Sequence, residues 1–244
     1  MVSKMDCILL HGWGVTNKIW EEFATKLDGY DSILTPCLYN IARHSSDKGL
    51  SFVASTLSKT IKKDSIVIAW SISGLIALRL ISLTTKIRAI IFIASPPCFI
   101  NKEGWFNTIQ KNKLVELKNR FSRNTKETLL HFSGLVAAGD KFPSKINKRV
   151  QQSLANDTQK EILSCWLKEI EGDDQRSQFM KMKIPSNIIL GQNDVLIKSK
   201  IQYQMEELNP NAYCTIVDNC GHAPFISKPL QTYNLVQRFL NDKI

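Results

Sequence analysis

The chain has 244 residues, 43% of them hydrophobic and 22% charged, with a formal net charge of +10 at pH 7. This is the composition of a globular chain long enough for one large α/β domain or two small ones. The basic excess bears on partners and not on fold: it reflects either a lysine-rich background or an acidic partner.

The start, MVSKMDCILLHGWG, lacks the apolar h-region of a signal peptide. No stretch approaches the roughly 20 apolar residues of a membrane span. A cytoplasmic protein without membrane contact is expected. The six cysteines are scattered and form no CxxC pair, so free thiols and no metal or redox centre are expected.

The first strand is expected at 6–10 (DCILL). It runs into LLHGWG, residues 9–14, where two glycines allow a backbone N–H to turn toward a reacting group. This strand followed by His-Gly-x-Gly resembles the oxyanion loop of α/β-hydrolases, with Trp13 offering its N–H and His11 as a structural residue of the loop. A helix near 17–27, a strand at 31–35 and a helix near 49–62 follow.

The strand expected at 65–70 (SIVIAW) leads through AWSISG, residues 69–74, into an apolar helix at 73–84. Strand, tight turn and helix are the context of a nucleophile elbow. The motif is imperfect, because Ala69 and Ser73 stand where G-x-S-x-G has glycine. Both are small, which close strand–helix packing requires. Centring the motif on Ser73 would place Leu75 at a small position. Ser71 is therefore the expected nucleophile, with the Ile72 N–H as second oxyanion donor. Taken alone, the hexapeptide also fits a buried strand ending in two capping serines.

After a strand at 89–94 the alternation stops for about 90 residues. Helical faces replace it. Leu129, Phe132, Leu135 and Val136 form one, and Ile162, Leu163, Trp166, Leu167 and Ile170 another. An insertion here is expected to cap the C-terminal edge of the sheet, where open α/β sheets hold ligands. Its first half is basic: residues 101–150 carry 11 Lys and Arg against 4 Asp and Glu. That face is either a set of solvated helices or a docking surface for an acidic partner.

A strand at 186–190 precedes GQNDV, where Asp194 is placed to orient a histidine. A helix near 199–207 and a strand at 213–217 follow. The Gly-His of VDNCGHAPF then places His222 just before the last helix, near 229–241. Oxyanion loop, Ser71, Asp194 and His222 thus follow the order of a Ser–Asp–His triad. Asp218, four residues before His222, is the competitor for the acid and reads as a turn residue. No HExxH pattern and no glycine-rich phosphate loop is present.

Four segments, LLHGWGVTNKIWEEF, AWSISGLIA, ASPPCF and GHAPFISKP, resemble the pimeloyl-[acyl-carrier protein] methyl ester esterase family of the α/β-hydrolases. The resemblance covers about 6–98 and 184–240 and is faint in the insertion. It implies an α/β-hydrolase fold: a mostly parallel sheet of about six strands, a core of residues 1–98 and 184–244, and a helical cap of residues 99–183. The edge strands that usually precede the oxyanion loop are not expected here.

The resemblance implies hydrolysis of the methyl ester of pimeloyl-[acyl-carrier protein] in biotin synthesis, by a monomer without a cofactor. Trp13, Ser71, Ile72, Phe132, Ser133, Gly134, Leu135 and Val136 would bind the acyl ester. The family docks its acidic carrier through cap arginines. At those places stand Glu127, His131, Ser144 and Lys148, so only Lys148 keeps the charge. Lys141, Lys145, Lys148 and Arg149 are then the expected docking residues. Nucleic acid is a weaker partner, since the aromatics are not interleaved with basic residues. Two other readings share the features: a general short-acyl carboxylesterase, and a non-catalytic binding protein of the same fold.

Overall fold

The structure is a computed structural model that describes residues 5–244. Residues 1–4, at the start of the expected core, lie outside the described residues.

The strands are β1 (Asp6–Leu10), β2 (Ser32–Leu34), β3 (Ser65–Trp70), β4 (Ile87–Ile93), β5 (Ser186–Gly191) and β6 (Ala212–Val217). They form one six-stranded sheet in the order β2-β1-β3-β4-β5-β6, every pairing parallel. Strands β3 and β5 are buried at every position. Successive side chains point to opposite faces, so burial throughout means that both faces are covered. The edge strands β2 and β6 are more exposed.

Helices α1 (Glu21–Ala24), α2 (Leu38–Ala42), α3 (Leu50–Thr60) and α4 (Ser73–Leu83) belong to the first half. Between β4 and β5 lie α5 (Lys111–Arg123), α6 (Thr125–Ala137), α7 (Pro143–Gln151), α8 (Lys160–Gly172) and α9 (Arg176–Lys181). Helices α10 (Ile201–Leu208), α11 (Pro224–Ser227) and α12 (Pro229–Lys243) complete the fold. Among the described residues no helix is long and apolar enough to cross a membrane.

One expected element differs. The helix near 17–27 is a 3-10 turn, Asn17–Trp20, followed by the short α1. The tighter turn brings Trp20 and Phe23 onto one face. Both are buried, and the Trp20 ring lies 4.0 Å from that of Phe225.

The order reverses beside β1: the backbone runs from β1 to its neighbour β2, then crosses back to β3 on the other side. Ligands of open α/β sheets collect beyond the carboxyl ends of the strands at this switch point. The residues after β1 and after β3, the HGWG loop and Ser71, meet there.

The helical segment is tied to the sheet layer by polar contacts. Glu169 of α8 accepts the Leu50 N–H at the start of α3 at 3.0 Å, an anion at a helix N-terminus. Arg79 of α4 pairs with Asp173, just beyond α8, at 2.7 Å. Burial raises the pKa of the Glu169 carboxyl above its ordinary value.

Candidate active site

Strand β3 delivers Ser71 into the left-handed region, at φ 57°. A non-glycine residue there is strained and is held by its surroundings. Ser71 donates its N–H to Ile93 C=O at 2.9 Å. Its own C=O accepts from the Gly74 N–H at 3.0 Å and from the Ser95 hydroxyl. Helix α4 starts two residues later and leaves the hydroxyl aimed at the carboxyl edge of the sheet.

Ser73 has another task. Its hydroxyl is fully buried, 2.8 Å from Leu10 C=O and 2.9 Å from Trp70 C=O. It donates its one proton between the ends of β1 and β3. The tightest glycine of the turn is Gly74, where an added Cβ would lie 1.9 Å from Ser95 Oγ.

Three side groups converge across more than 150 positions. His222 Nε2 lies 3.1 Å from Ser71 Oγ, and His222 Nδ1 lies 2.7 Å from Asp194 Oδ2. The second carboxylate oxygen of Asp194 accepts the Leu196 and Ile197 N–H groups at 2.8 and 3.1 Å. An ionised carboxylate only accepts, so Nδ1 carries the proton and Nε2 presents its lone pair to the serine. Asp218 is exposed and takes no part.

The loop after β1 closes on the same point. An added Cβ at Gly12 would lie 3.0 Å from the Trp70 ring and 3.3 Å from Ser71 Cβ, so glycine permits the approach. Gly14 has φ 78°, and its N–H donates to the Tyr39 hydroxyl at 2.9 Å. His11 is fully buried: Nε2 accepts the Leu38 N–H at 2.9 Å, and Nδ1 donates to Gly12 C=O at 3.0 Å. Burial lowers its pKa to about 4. This neutral ring braces the loop. Among the described residues neither the Trp13 nor the Ile72 N–H meets a hydrogen-bond acceptor, and both residues line the cavity at Ser71.

That cavity is narrow, about 30 Å³, and its wall beyond Ser71 and His222 is apolar, including Phe99, Ile109, Leu167 and Ile170. It adjoins a larger vestibule of about 550 Å³. Ile109, Leu114, Leu117, Phe132 and Leu196 line both. The vestibule also has polar walls, with Lys113, Glu116, Arg120, His131 and Lys198. Glu116 is claimed by Lys113 at 3.2 Å and Arg120 at 3.4 Å, so the rim keeps a positive excess. Among the described residues no cluster of three or more His, Cys, Asp or Glu residues could hold a metal ion.

Residues 51–229 match the model of the alpha/beta hydrolase fold family. The chain belongs to the alpha/beta hydrolase fold family. It is 28% identical over 233 residues to the pimeloyl-[acyl-carrier protein] methyl ester esterase of Pseudoalteromonas atlantica, covering 92% of this chain and 90% of the relative. It is also 28% identical over 253 residues to the protein of that name from Wigglesworthia glossinidia brevipalpis, covering 98% and 94%. Among solved structures, a hydrolase from Oleispira antarctica matches with TM-score 0.82 at 19% identity, covering 98% of this chain and 92% of the other. An esterase from Exiguobacterium antarcticum matches with TM-score 0.76 at 16% identity, covering 99% and 93%.

Within this hydrolase fold the expected binding residues separate. Trp13, Ser71, Ile72 and Phe132 line the inner cavity, and Leu135 lines the vestibule. Ser133, Gly134 and Val136 line neither. The Ser133 hydroxyl is turned away into contacts with Leu130 C=O and Asn147 Oδ1, each at 2.7 Å. Val136 is buried and gives its C=O to the His222 N–H at 3.2 Å. Helical geometry explains the split, because successive residues point about 100° apart and only some face the cavity.

The expected docking residues lie apart from the vestibule. Lys141, Lys145, Lys148 and Arg149 sit on or beside α7, and none lines the vestibule. Arg149 reaches Glu21 and Glu22, each at 4.0 Å. Sequence reasoning missed Tyr39, Ser95 and the vestibule residues of α5. The amphipathic face of α5 was legible, but nothing local says which cavity it borders.

Proposed function

We propose that this protein is a serine ester hydrolase that cleaves the methyl ester of pimeloyl-[acyl-carrier protein] and releases methanol. Residues 99–183 act as its cap. The observation that carries the reading is the two-part cavity. The small chamber of about 30 Å³ at Ser71 is walled by apolar side chains and adjoins the larger vestibule, so the ester group seats at the nucleophile while the rest of the substrate extends outward. An apolar neck of Leu114, Leu117, Phe132 and Leu196 suits a straight acyl group. The cationic vestibule then faces the far end of the substrate, where an acidic carrier waits. The relatives' shared name agrees with this arrangement.

Ser71 attacks the ester carbonyl while His222 Nε2 accepts its proton. Asp194 keeps the other ring nitrogen protonated and stabilises the imidazolium. The Trp13 and Ile72 N–H groups receive the oxyanion, and the start of α4 behind Ile72 adds its dipole. The intermediate collapses, and His222 returns the proton to the departing methoxide. Water, deprotonated by the same imidazole, then attacks the acyl-enzyme and frees the carboxylate and Ser71.

The cationic rim of Lys113, Arg120 and Lys198 steers the carrier, raising the encounter rate in a salt-dependent way. The test compares methanol release from methyl-pimeloyl carrier protein with hydrolysis of a nitrophenyl butyrate. Higher kcat/KM on the carrier-linked ester is expected. A preference for the nitrophenyl ester would leave a general carboxylesterase. Absence of turnover on both would leave a non-catalytic protein of the same fold.

A further inference from the structure

The end of α6 and the turn that leads to α7 touch the loops of both Asp194 and His222. Val136 C=O accepts the His222 N–H at 3.2 Å, and the Lys141 N–H donates to Asn219 C=O at 3.3 Å. Asp140 Oδ2 accepts the Gly221 N–H at 3.4 Å. On the other loop, Asn193 donates its side-chain amide to Gly139 C=O at 3.0 Å. The two loops are joined by the Asn193 N–H, which donates to Cys220 C=O at 2.9 Å.

Glycines make this contact possible. Gly139 has φ 81°, and a Cβ there would lie 2.0 Å from Asn193 C=O. A Cβ on Gly221 would lie 2.6 Å from Ala138 C=O, and one on Gly191 would lie 1.9 Å from Gly221 C=O. No flexible side group separates the three segments, so a shift of the turn passes directly to the histidine and the aspartate. The turn also follows directly on the cavity wall: Phe132 and Leu135 face the substrate space, and Val136 holds His222.

We infer that Asn193 and Gly139 are positioning residues for the acid–base pair, locking the cap turn to the loops that carry Asp194 and His222. Neither touches the reacting atoms. Asn193 acts by holding the turn at the distance that places His222 Nε2 on Ser71 Oγ. The inference rests on Ser71, Asp194 and His222 being the triad.

The experiment uses the full-length protein and nitrophenyl butyrate. Asn193→Ala removes the bond to Gly139 C=O. It is expected to lower kcat by about 10- to 100-fold, the scale of a displacement of up to ~1 Å in a catalytic group, with KM little changed. The low-field proton resonance of the His222 Nδ1–H should shift or broaden, and Asn193→Gln should recover part of kcat. Gly139→Ala, if it folds, should act in the same direction and more strongly.

A wild-type kcat and an unmoved resonance in Asn193→Ala, with only a lower Tm, would reduce the contact to packing and overturn the inference. Ser71→Ala is run beside it. Full turnover there would overturn the triad itself, whereas a dead Ser71→Ala beside a fully active Asn193→Ala would overturn the positioning role alone.

Discussion

The indole Nε1–H of Trp70 donates to the backbone carbonyl oxygen of His222 at 2.9 Å, and the two rings lie 5.7 Å apart. The residue before Ser71 therefore holds the backbone of His222. Trp70 is fully buried, so no water can replace the bond. Trp70→Phe leaves that carbonyl unpaired, and a loss of about 1–3 kcal/mol in urea unfolding is expected. A fall in kcat should accompany it, since the carbonyl belongs to the histidine proposed as the base. Wild-type stability and kcat would mean that another donor reaches the carbonyl.

The two serines of AWSISG should separate cleanly. Ser71→Ala is expected to lower turnover by about 10⁴-fold or more with the fold intact. Ser73→Ala keeps Ser71 but leaves the Leu10 and Trp70 carbonyls without the Ser73 hydroxyl. It should lose about 1–3 kcal/mol of stability and keep turnover within about an order of magnitude. Steady-state kinetics beside thermal unfolding distinguishes them, and the opposite pattern would name Ser73 as nucleophile.

His11 makes stability depend on pH. Its pKa is about 4 in the folded protein, below the ordinary ~6.5 of the unfolded one. Between those values the unfolded state binds more protons, so stability rises with pH there. The contribution is complete above about pH 6.5 and is lost as pH falls toward 4, amounting to up to about 3 kcal/mol. His11→Gln should flatten this part of the stability–pH curve. An unchanged slope between pH 4 and 6.5 in that variant would assign the dependence to other groups.

Charge reversal locates the docking face. Lys198→Glu at the vestibule should lower kcat/KM on the carrier-linked ester and leave nitrophenyl butyrate untouched. Lys145→Glu on α7 should do less. Since rim charges act mainly on association, the Lys198 effect should shrink as salt rises. A larger loss from Lys145→Glu would move the docking face to α7.

Much of this protein is settled locally. The stretches IVIAW and IIL are apolar without alternation, as a strand covered on both faces tolerates, so β3 and β5 fall where the pattern puts them. Ser71, Asp194 and His222 each follow a strand, and their order along the sequence alone suggested the set; their separations of 2.7 and 3.1 Å belong to the fold. Tertiary structure alone decided the rest. Ser73 is a strut because Leu10, 63 positions away, ends beside it. Val136 serves His222 instead of the substrate because a helix turns it away from Phe132. The cationic rim joins Lys113 and Arg120 of α5 to Lys198, more than 70 positions further along. Periodicity reports which face of an element is buried, but only packing between distant segments determines what that face is buried against.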